Sequence, residues 1–379
     1  NVHVISIVVL LIFVCNVHAS SRIERREEVR EMFYHGYENY MNHAFPDDEL
    51  KPLSCEGRRR DGKNIRGTMD DTLGDYCLTL VDTLDMLIVL GDYEEFEYAV
   101  YQLLDHLNFN TDVSVNVFEV TIRVLGGLLS SHIFADELKQ QYSIREGYLF
   151  DYQQNLVNEL LLLESRSTQQ QKIIDSFTKK ISFMKDYNGE LLRFAEDLGN
   201  RILPAFESST GLPYSLINLE NGKKSSIKET CLAGAGTLSL EFITLSKLTG
   251  NNIFKDKVLK VTNTLCNMRT SKNLLGGMIN VENGRYTNDV ASIGAGSDSF
   301  YEYLLKTWFL TGDVNIKDCF EKTYESVQAY MNFKGYHVPV DIRTGSLRQY
   351  SIDSVQAFWP GLEVLVGDIS LAINSHYKF

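Results

Sequence analysis

A short motif that recurs along the chain constrains its fold more than any other feature. The motif is a glycine followed by Asp or Asn, and its copies are Leu90-Gly91-Asp92, Thr249-Gly250-Asn251 and Thr311-Gly312-Asp313. Each copy follows an apolar segment of helical periodicity and precedes an amphipathic one. Glycine suits the position just after a helix, because it adopts a left-handed backbone without strain. Each copy therefore predicts a turn at which one helix ends and the next begins.

A second repeat lies upstream of two of these turns. The glycine-rich residues 232–237 precede Glu241, residues 293–297 precede Asp298 and Glu302, and residues 358–363 are a weaker relative. The repeating unit is therefore a helical hairpin of about 60 residues. Such units cannot bury both faces alone, so they stack into a solenoid or close into a toroid. In a closed ring, the N-terminal turns of the inner helices meet at one rim, where acidic side chains can line a cavity.

The composition agrees with an all-α fold and argues against nucleic acid as a partner. Hydrophobic residues make up 44% of the 379 residues, which is enough for a large core, and only six prolines interrupt the helical periodicity. The 37 basic and 50 acidic residues give a net charge of −13, which argues against a nucleic-acid partner.

The first 19 residues resemble a secretory signal peptide. An apolar run from Val4 to Cys15 is followed by Val17-His18-Ala19, with small residues at the positions expected before a cleavage site. The run is short for a membrane span. We therefore expect residues 1–19 to be a signal peptide that directs the protein to the lumen of the secretory pathway; the alternative is an uncleaved signal that keeps it at the membrane.

The number of cysteines predicts an unpaired thiol in the oxidising secretory pathway. Five cysteines follow the predicted signal: Cys55, Cys77, Cys231, Cys266 and Cys319. An odd number leaves at least one thiol free or shared with a partner, and the spacings match no zinc site. A mixed disulfide with an oxidoreductase is a hypothesis that follows from the odd cysteine.

The helical repeat is interrupted at about residues 140–185. Glutamine pairs and triplets and a leucine run at 160–163 distinguish this stretch from its surroundings. We interpret it as a helical arm inserted between two hairpins.

Glu119 and Arg123 stand out in the otherwise largely apolar residues 118–129. Residues four apart share one face of a helix, so the spacing alone favours an ordinary surface ion pair. The apolar neighbours favour a second interpretation, because a carboxyl group among apolar side chains has a raised pKa and can act as a general acid.

Six segments, in this order along the chain, resemble the class I α-mannosidases (glycoside hydrolase family 47), and in particular their ER degradation-enhancing α-mannosidase-like branch. They are residues 32–37, 44–50, 78–85, 117–129, 294–306 and 352–362. The resemblance implies an (αα)7 barrel and inverting, Ca²⁺-dependent removal of α-1,2-linked mannose from N-glycans. It also implies that the protein works in the ER lumen on high-mannose N-glycans of misfolded glycoproteins, where a thioredoxin-fold oxidoreductase is a candidate partner.

The resemblance assigns roles to five residues. Glu119 would be the general acid and Asp298 a catalytic carboxylate, while Arg123, Glu241 and Glu302 would contact the sugar. These roles suit an inverting glycosidase, which needs one protonated and one ionised carboxyl group with room for a water molecule. Asp298 follows a glycine-rich turn, so we expect it in the first turn of a helix, where the helix dipole keeps a carboxylate ionised.

The sequence departs from the family pattern near its C-terminus. The family continues with an Arg-Pro-Glu segment that carries another catalytic carboxylate, and later with a Thr that binds Ca²⁺; neither is found before Phe379. By the repeat count, about five of the seven hairpins are present. The metal anchor expected from the family would thus lie beyond Phe379, and residues 20–379 would form a partial catalytic domain.

Two functions of different classes remain open at this point. One is a glycosidase that trims mannose in ER-associated degradation. The other is a catalytically inactive protein of the same process that binds glycans or clients. A different α/α-toroid glycosidase would also fit the repeat and the acidic residues, but the ordered motifs argue against it.

Overall fold

The computed structural model describes residues 2–60, 66–141 and 183–379, with side chains for 22–60, 66–141 and 184–379. The described chain divides into two compact units. The first comprises Asn1–Arg59 and Asp75–Leu107, and the second comprises Arg60–Gly74 and Asn108–Phe379. Residues 142–182 of the predicted inserted arm lie outside the described residues. The proposed signal lies within the first helix, and its removal stays a prediction.

The first unit consists of helices α1 (Val2–His43), α2 (Leu78–Val89) and α3 (Tyr93–His106) and a two-stranded hairpin, β1 (Glu49–Lys51) and β2 (Glu56–Arg58). Asp48 is fully buried, and its carboxylate accepts hydrogen bonds from three backbone N–H groups at the start of α2. On the other side of the unit, Tyr34 and Tyr37 donate hydrogen bonds to Asp92 and Glu95 of α3, in a cleft of about 370 Å³ between α1 and α3.

The second unit is built from helices that alternate with very short strands. Its α-helices are α4 (Val117–Gln141), α5 (Glu190–Ile202), α6 (Leu232–Gly236), α7 (Ser239–Thr249), α8 (Asn252–Asn267), α9 (Asp298–Thr311), α10 (Val314–Ser326), α11 (Trp359–Val366) and α12 (Ile369–His376). Residues Val120–Leu125 of α4 are π-helical. A 3-10 helix, Ser354–Phe358, precedes α11.

The strands of the second unit are two or three residues long. They are β3 (Ser114–Asn116), β4 (Leu216–Asn218), β5 (Glu229–Cys231), β6 (Met278–Asn280), β7 (Tyr286–Asn288), β8 (Val290–Ala291), β9 (Asn332–Phe333), β10 (Tyr336–His337) and β11 (Val340–Asp341). They pair antiparallel as β3 with β4, β8 with β11, β9 with β10, and in the order β5-β6-β7. Strands of two or three residues hold loops together and do not form a core. The prediction of an all-α fold is therefore confirmed.

The hairpin repeat predicted from the glycines is also confirmed. Gly91, Gly250 and Gly312 have φ values of 78°, 75° and 71°, and they separate α2 from α3, α7 from α8 and α9 from α10. In each turn the following Asp or Asn accepts a hydrogen bond from the first turn of the next helix. The structure adds a further glycine turn that the sequence reading missed, at Gly367 (φ 101°) between α11 and α12, although Asp368 does not cap α12 with its side chain.

Apolar packing within and between hairpins holds the second unit together. The buried core includes Val124 and Leu128 of α4, Phe242 of α7 and Phe300 of α9. Although α4 is long and apolar enough to cross a membrane, buried core helices meet the same criterion, and Val124 and Leu128 are completely buried here. We therefore describe α4 as a core helix.

One close approach positions α6 against α9. A Cβ atom added to Gly236 would lie 2.3 Å from Cδ2 of Phe300, so only glycine permits this packing distance. The backbone N–H of Ala233 donates to the carbonyl of Gly296 at 2.8 Å. These contacts join the segment before α7 to the segment before α9, and the two helices that follow carry Glu241, Asp298 and Glu302.

The cysteines include free thiols, as their odd number predicted. Cys266 and Cys319 form a disulfide that links α8 to α10. Among the described residues, Cys55, Cys77 and Cys231 are free, and Cys55 is exposed.

Candidate active site

Glu119 and Arg123 lie in the first turns of α4, directly after β3. The side chain of Asn116 caps the helix by accepting a hydrogen bond from the backbone N–H of Glu119 at 3.1 Å. Arg123 Nε donates to Glu119 Oε2 at 2.9 Å. The Glu119 side chain is 25% exposed and that of Arg123 is 41% exposed. The predicted shared face is confirmed, but Glu119 is paired and partly exposed rather than enclosed by apolar groups.

Asp298 is the first residue of α9, as predicted from the glycine-rich turn before it. Its Oδ1 accepts a hydrogen bond from the N–H of Ser299 at 2.8 Å. Burial raises the pKa of Asp298 above its ordinary value, which opposes the predicted effect of the helix dipole. The negative charges of Asp353 and Glu302 raise this pKa further, while the bonds from Ser299 oppose the shift.

Glu302 lies one turn after Asp298 on α9. Its Oε1 accepts from Lys306 Nζ at 2.5 Å, an ion pair between residues four apart with both side chains partly exposed. This lysine balances part of the negative charge that Asp298 and Glu302 bring to the same end of the helix.

Glu241 lies in the first turn of α7 and has the most perturbed environment of the predicted carboxyl groups. Tyr303 of α9 donates to its Oε1 at 2.6 Å, whereas its Oε2 is buried and has no hydrogen-bond partner. Burial raises the pKa of Glu241 to about 7, and the bond from Tyr303 partly opposes the shift. Glu241 as a whole is half-buried, while its Oε2 atom is fully buried.

Glu241 also connects α7 to α4. A Cβ atom on Gly126 of α4 would lie 3.7 Å from Cγ of Glu241, so the two helices meet just beyond the turn that carries Glu119 and Arg123. Because α9 packs on α7 and supplies Tyr303, the N-terminal turns of α4, α7 and α9 are neighbours. The structure thus packs together the three helices that carry Glu119, Glu241 and Asp298.

The sequence reading missed two residues of this site, Asp353 and Tyr303. Asp353 caps the 3-10 helix before α11, and its Oδ2 accepts a hydrogen bond from the N–H of Ala295 at 3.4 Å. A Cβ on Gly294 would lie 2.2 Å from the same oxygen, so the glycine makes room for the carboxylate. Both residues fall inside segments that carried the family resemblance, which was the available signal.

The described residues do not assemble a metal site. No group of three or more His, Cys, Asp or Glu side chains within the described parts of the chain is arranged to hold a metal ion. The acidic residues of the site are engaged instead with Arg123, Lys306, Tyr303 and backbone N–H groups. The Ca²⁺ expected from the family resemblance is therefore not assigned to any of the described side chains.

The arrangement is suited to acid–base chemistry on a polyhydroxylated ligand. Glu241 and Asp298 have raised pKa values, which favours a protonated carboxyl group near neutral pH at Glu241. Glu302 and Asp353 lie close enough to Asp298 to affect its pKa. Arg123 offers guanidinium N–H groups on the same helix face as Glu119. Carboxyl groups in different protonation states are what glycosidases use to protonate a leaving group and activate water.

Comparisons with known proteins identify the family of the chain. The model of glycosyl hydrolase family 47 matches residues 32–379. The chain is 40% identical to ER degradation-enhancing alpha-mannosidase-like protein 1 of Schizosaccharomyces pombe, over 96% of this chain and 42% of that protein. It is also 40% identical to alpha-mannosidase I MNS4 of Arabidopsis thaliana, over 93% of this chain and 49% of that protein. The chain thus spans half or less of the length of each of these two relatives.

A solved structure supports the fold. The alpha-1,2-mannosidase from Trichoderma reesei superposes with a TM-score of 0.69 at 23% identity, covering 93% of this chain and 65% of that one. This match confirms the predicted (αα)7 barrel architecture built from helical hairpins. The family match over nearly the whole chain, two relatives at 40% identity and the shared fold lead to one conclusion: this chain belongs to glycosyl hydrolase family 47.

Proposed function

We propose that the protein hydrolyses terminal α-1,2-linked mannose on high-mannose N-glycans of misfolded glycoproteins in the ER lumen. The observation that carries this proposal is that Glu119, Glu241 and Asp298 each lie in the first turn of a helix and that these helices pack on one another. The names of the relatives, which include alpha-mannosidases and ER degradation-enhancing proteins, support the substrate and the compartment. Ca²⁺ and an oxidoreductase partner belong to the same proposal.

In this proposal Glu119 protonates the leaving oxygen and Asp298 acts as a catalytic carboxylate, while Glu241 and Glu302 contact the sugar. Arg123 holds Glu119 by a 2.9 Å contact in the free protein. A sugar hydroxyl that accepts a hydrogen bond from Arg123 would compete for this contact and release Glu119 Oε2 toward the glycosidic oxygen. Inversion requires that water attack from the face opposite the general acid.

Substitution of Glu119 tests the proposal. In the full-length protein with Ca²⁺, Glu119→Gln should lower mannose release from a high-mannose glycan by about 10²- to 10⁴-fold, which is the usual contribution of a general acid. Glu137→Gln is a matched control, because Glu137 lies exposed on the same helix. Full activity of the Glu119→Gln protein would refute the proposed role.

A catalytically inactive glycan-binding protein is the second candidate function. The ordinary spacing and geometry of the Glu119–Arg123 ion pair favour it, since such pairs are common on helix surfaces. The same assay distinguishes the two candidates. An inactive binding protein, immobilised on an affinity column, would retain the high-mannose glycan. It would release no mannose, with or without Ca²⁺.

The oxidoreductase partner has its own test. Cys55 is the exposed free thiol of the described residues, so a mixed disulfide would form there. A non-reducing gel of the protein trapped from its native compartment should show an adduct that Cys55→Ser abolishes. No adduct, or an adduct that persists in the variant, would contradict this assignment.

A further inference from the structure

Tyr303 and Glu241 form a partly buried hydrogen bond that leaves one carboxyl oxygen of Glu241 without a partner. Tyr303 Oη lies 2.6 Å from Glu241 Oε1, and the two residues come from different helices, α9 and α7. The second carboxyl oxygen, Oε2, is buried and has no hydrogen-bond partner. Buried polar atoms without a partner are costly and rare in proteins, and they often mark a place where a ligand binds.

The direction of the Tyr303–Glu241 hydrogen bond can be assigned. Burial and the nearby carboxyl groups raise the pKa of Tyr303 well above its ordinary value, so the phenol keeps its proton and donates it. Glu241 Oε1 therefore acts as the acceptor. This leaves Oε2 as the atom that either carries the proton of a neutral carboxyl group or presents a lone pair.

Few other groups affect the protonation of Tyr303 and Glu241. Glu302, the neighbour of Tyr303 along α9, is the other carboxyl group that acts on the phenol. For Glu241 itself, the groups that shift its pKa are burial, Tyr303 and its own backbone. Gly126 of α4, the helix that carries Arg123, lies beside Glu241 and contributes no titratable side chain.

We propose that Tyr303 is a positioning residue, which holds Glu241 by one oxygen so that Oε2 is left to bind a hydroxyl group of the mannosyl substrate. In the protonated state Oε2 donates to this hydroxyl, and in the ionised state it accepts from it. The choice of a sugar hydroxyl as the ligand rests on the proposed function. The control of Glu241 by Tyr303 does not, because it follows from the contact between the two side chains.

The first experiment measures the protonation of Glu241 directly in the full-length protein. Infrared difference spectroscopy with ¹³C-labelled glutamate, assigned by subtracting Glu241→Gln, should show a carboxyl group that titrates with a midpoint near the pKa of about 7 given by its burial. In Tyr303→Phe the midpoint should rise by about one pH unit, because a hydrogen bond that stabilises the ionised form is lost. An unchanged midpoint in Tyr303→Phe, or a wild-type midpoint in the ordinary range of glutamate, would overturn the proposal.

The second experiment tests the substrate contact. Mannobiose with an α-1,2 linkage should shift the Glu241 signal of the wild-type protein, and Tyr303→Phe should bind this probe about tenfold more weakly. Thermal unfolding of each variant confirms that it is folded, and Tyr98→Phe, an exposed tyrosine of the first unit, serves as the matched control. Equal affinity of Tyr303→Phe and wild type would overturn the positioning role.

The two experiments also separate this inference from the proposed function. If the wild-type protein fails to bind mannobiose, the sugar contact and the mannosidase proposal are both refuted. The titration then still decides whether Tyr303 controls the protonation of Glu241.

Discussion

Arg123→Gln distinguishes a structural ion pair from a substrate contact. Arg123 and Glu119 are four residues apart on α4, 2.9 Å from each other, and both are partly exposed. Measured pairs of this kind stabilise a protein by about 0.3–0.5 kcal/mol. Loss of that amount would lower the melting temperature by about 1–2 °C in a domain of this size. Glutamine keeps much of the aliphatic stem, so the loss of packing should be small.

The expected effect on catalysis is much larger than the effect on stability. Because Arg123 is proposed to donate to a sugar hydroxyl, its removal costs a charge-assisted hydrogen bond of about 1.5–3 kcal/mol. This corresponds to a fall in kcat/KM of about 10- to 150-fold. The assay is the initial rate of mannose release at varied glycan concentration, together with a calorimetric melting temperature of the same preparation.

Arg193→Gln is the matched control for Arg123→Gln. Arg193 forms a similar 3.0 Å ion pair with Glu190 on α5, and neither residue belongs to the candidate site. We expect the same small change in melting temperature and an unchanged kcat/KM. The reasoning is refuted if Arg123→Gln leaves kcat/KM unchanged, or if its loss of activity merely follows a large loss of stability.

Two further predictions concern buried or partly buried carboxyl groups. Asp353→Asn removes a negative charge beside Asp298, so the pKa of Asp298 should fall. The acidic limb of the kcat/KM–pH profile should therefore move to lower pH. An acidic limb that moves to higher pH or stays in place would contradict this prediction. Glu363 is fully buried and accepts hydrogen bonds from Trp359, Gln328 and Ser375. Glu363→Ala leaves these donors unpaired and should lower the free energy of unfolding by about 3–5 kcal/mol in urea titration, whereas exposed Glu325→Ala should change it little.

The helical hairpins could be predicted because their signals are local. A glycine with positive φ ends a helix within a few residues of sequence, and an adjacent Asp or Asn caps the next one. The contact between Glu119 and Arg123 is local for the same reason, since residues four apart on a helix face each other. The start of α9 at Asp298 followed from the glycine-rich turn before it. Gly367 was missed because its flanking segment matched the repeat less well.

The electrostatic character of the site could not be predicted in the same way. Asp298 lies in the first turn of a helix, as predicted, but the opposing effect of burial on its pKa could not be predicted from the sequence. Burial depends on what packs around a carboxyl group, and the residues that enclose Asp298 come from distant segments. Asp353 is one example, since it approaches from 55 residues later in the chain.

The sequence by itself therefore determined the helical hairpins, the family and the order of the acidic residues along the chain. These properties depend on short-range backbone preferences and on motifs that can be read in order. The tertiary structure alone decided that Tyr303 holds Glu241, that Asp353 acts on Asp298, and that Cys266 pairs with Cys319. Each of these contacts joins residues more than 50 positions apart, where only the packing of whole helices fixes distance, desolvation and hence charge.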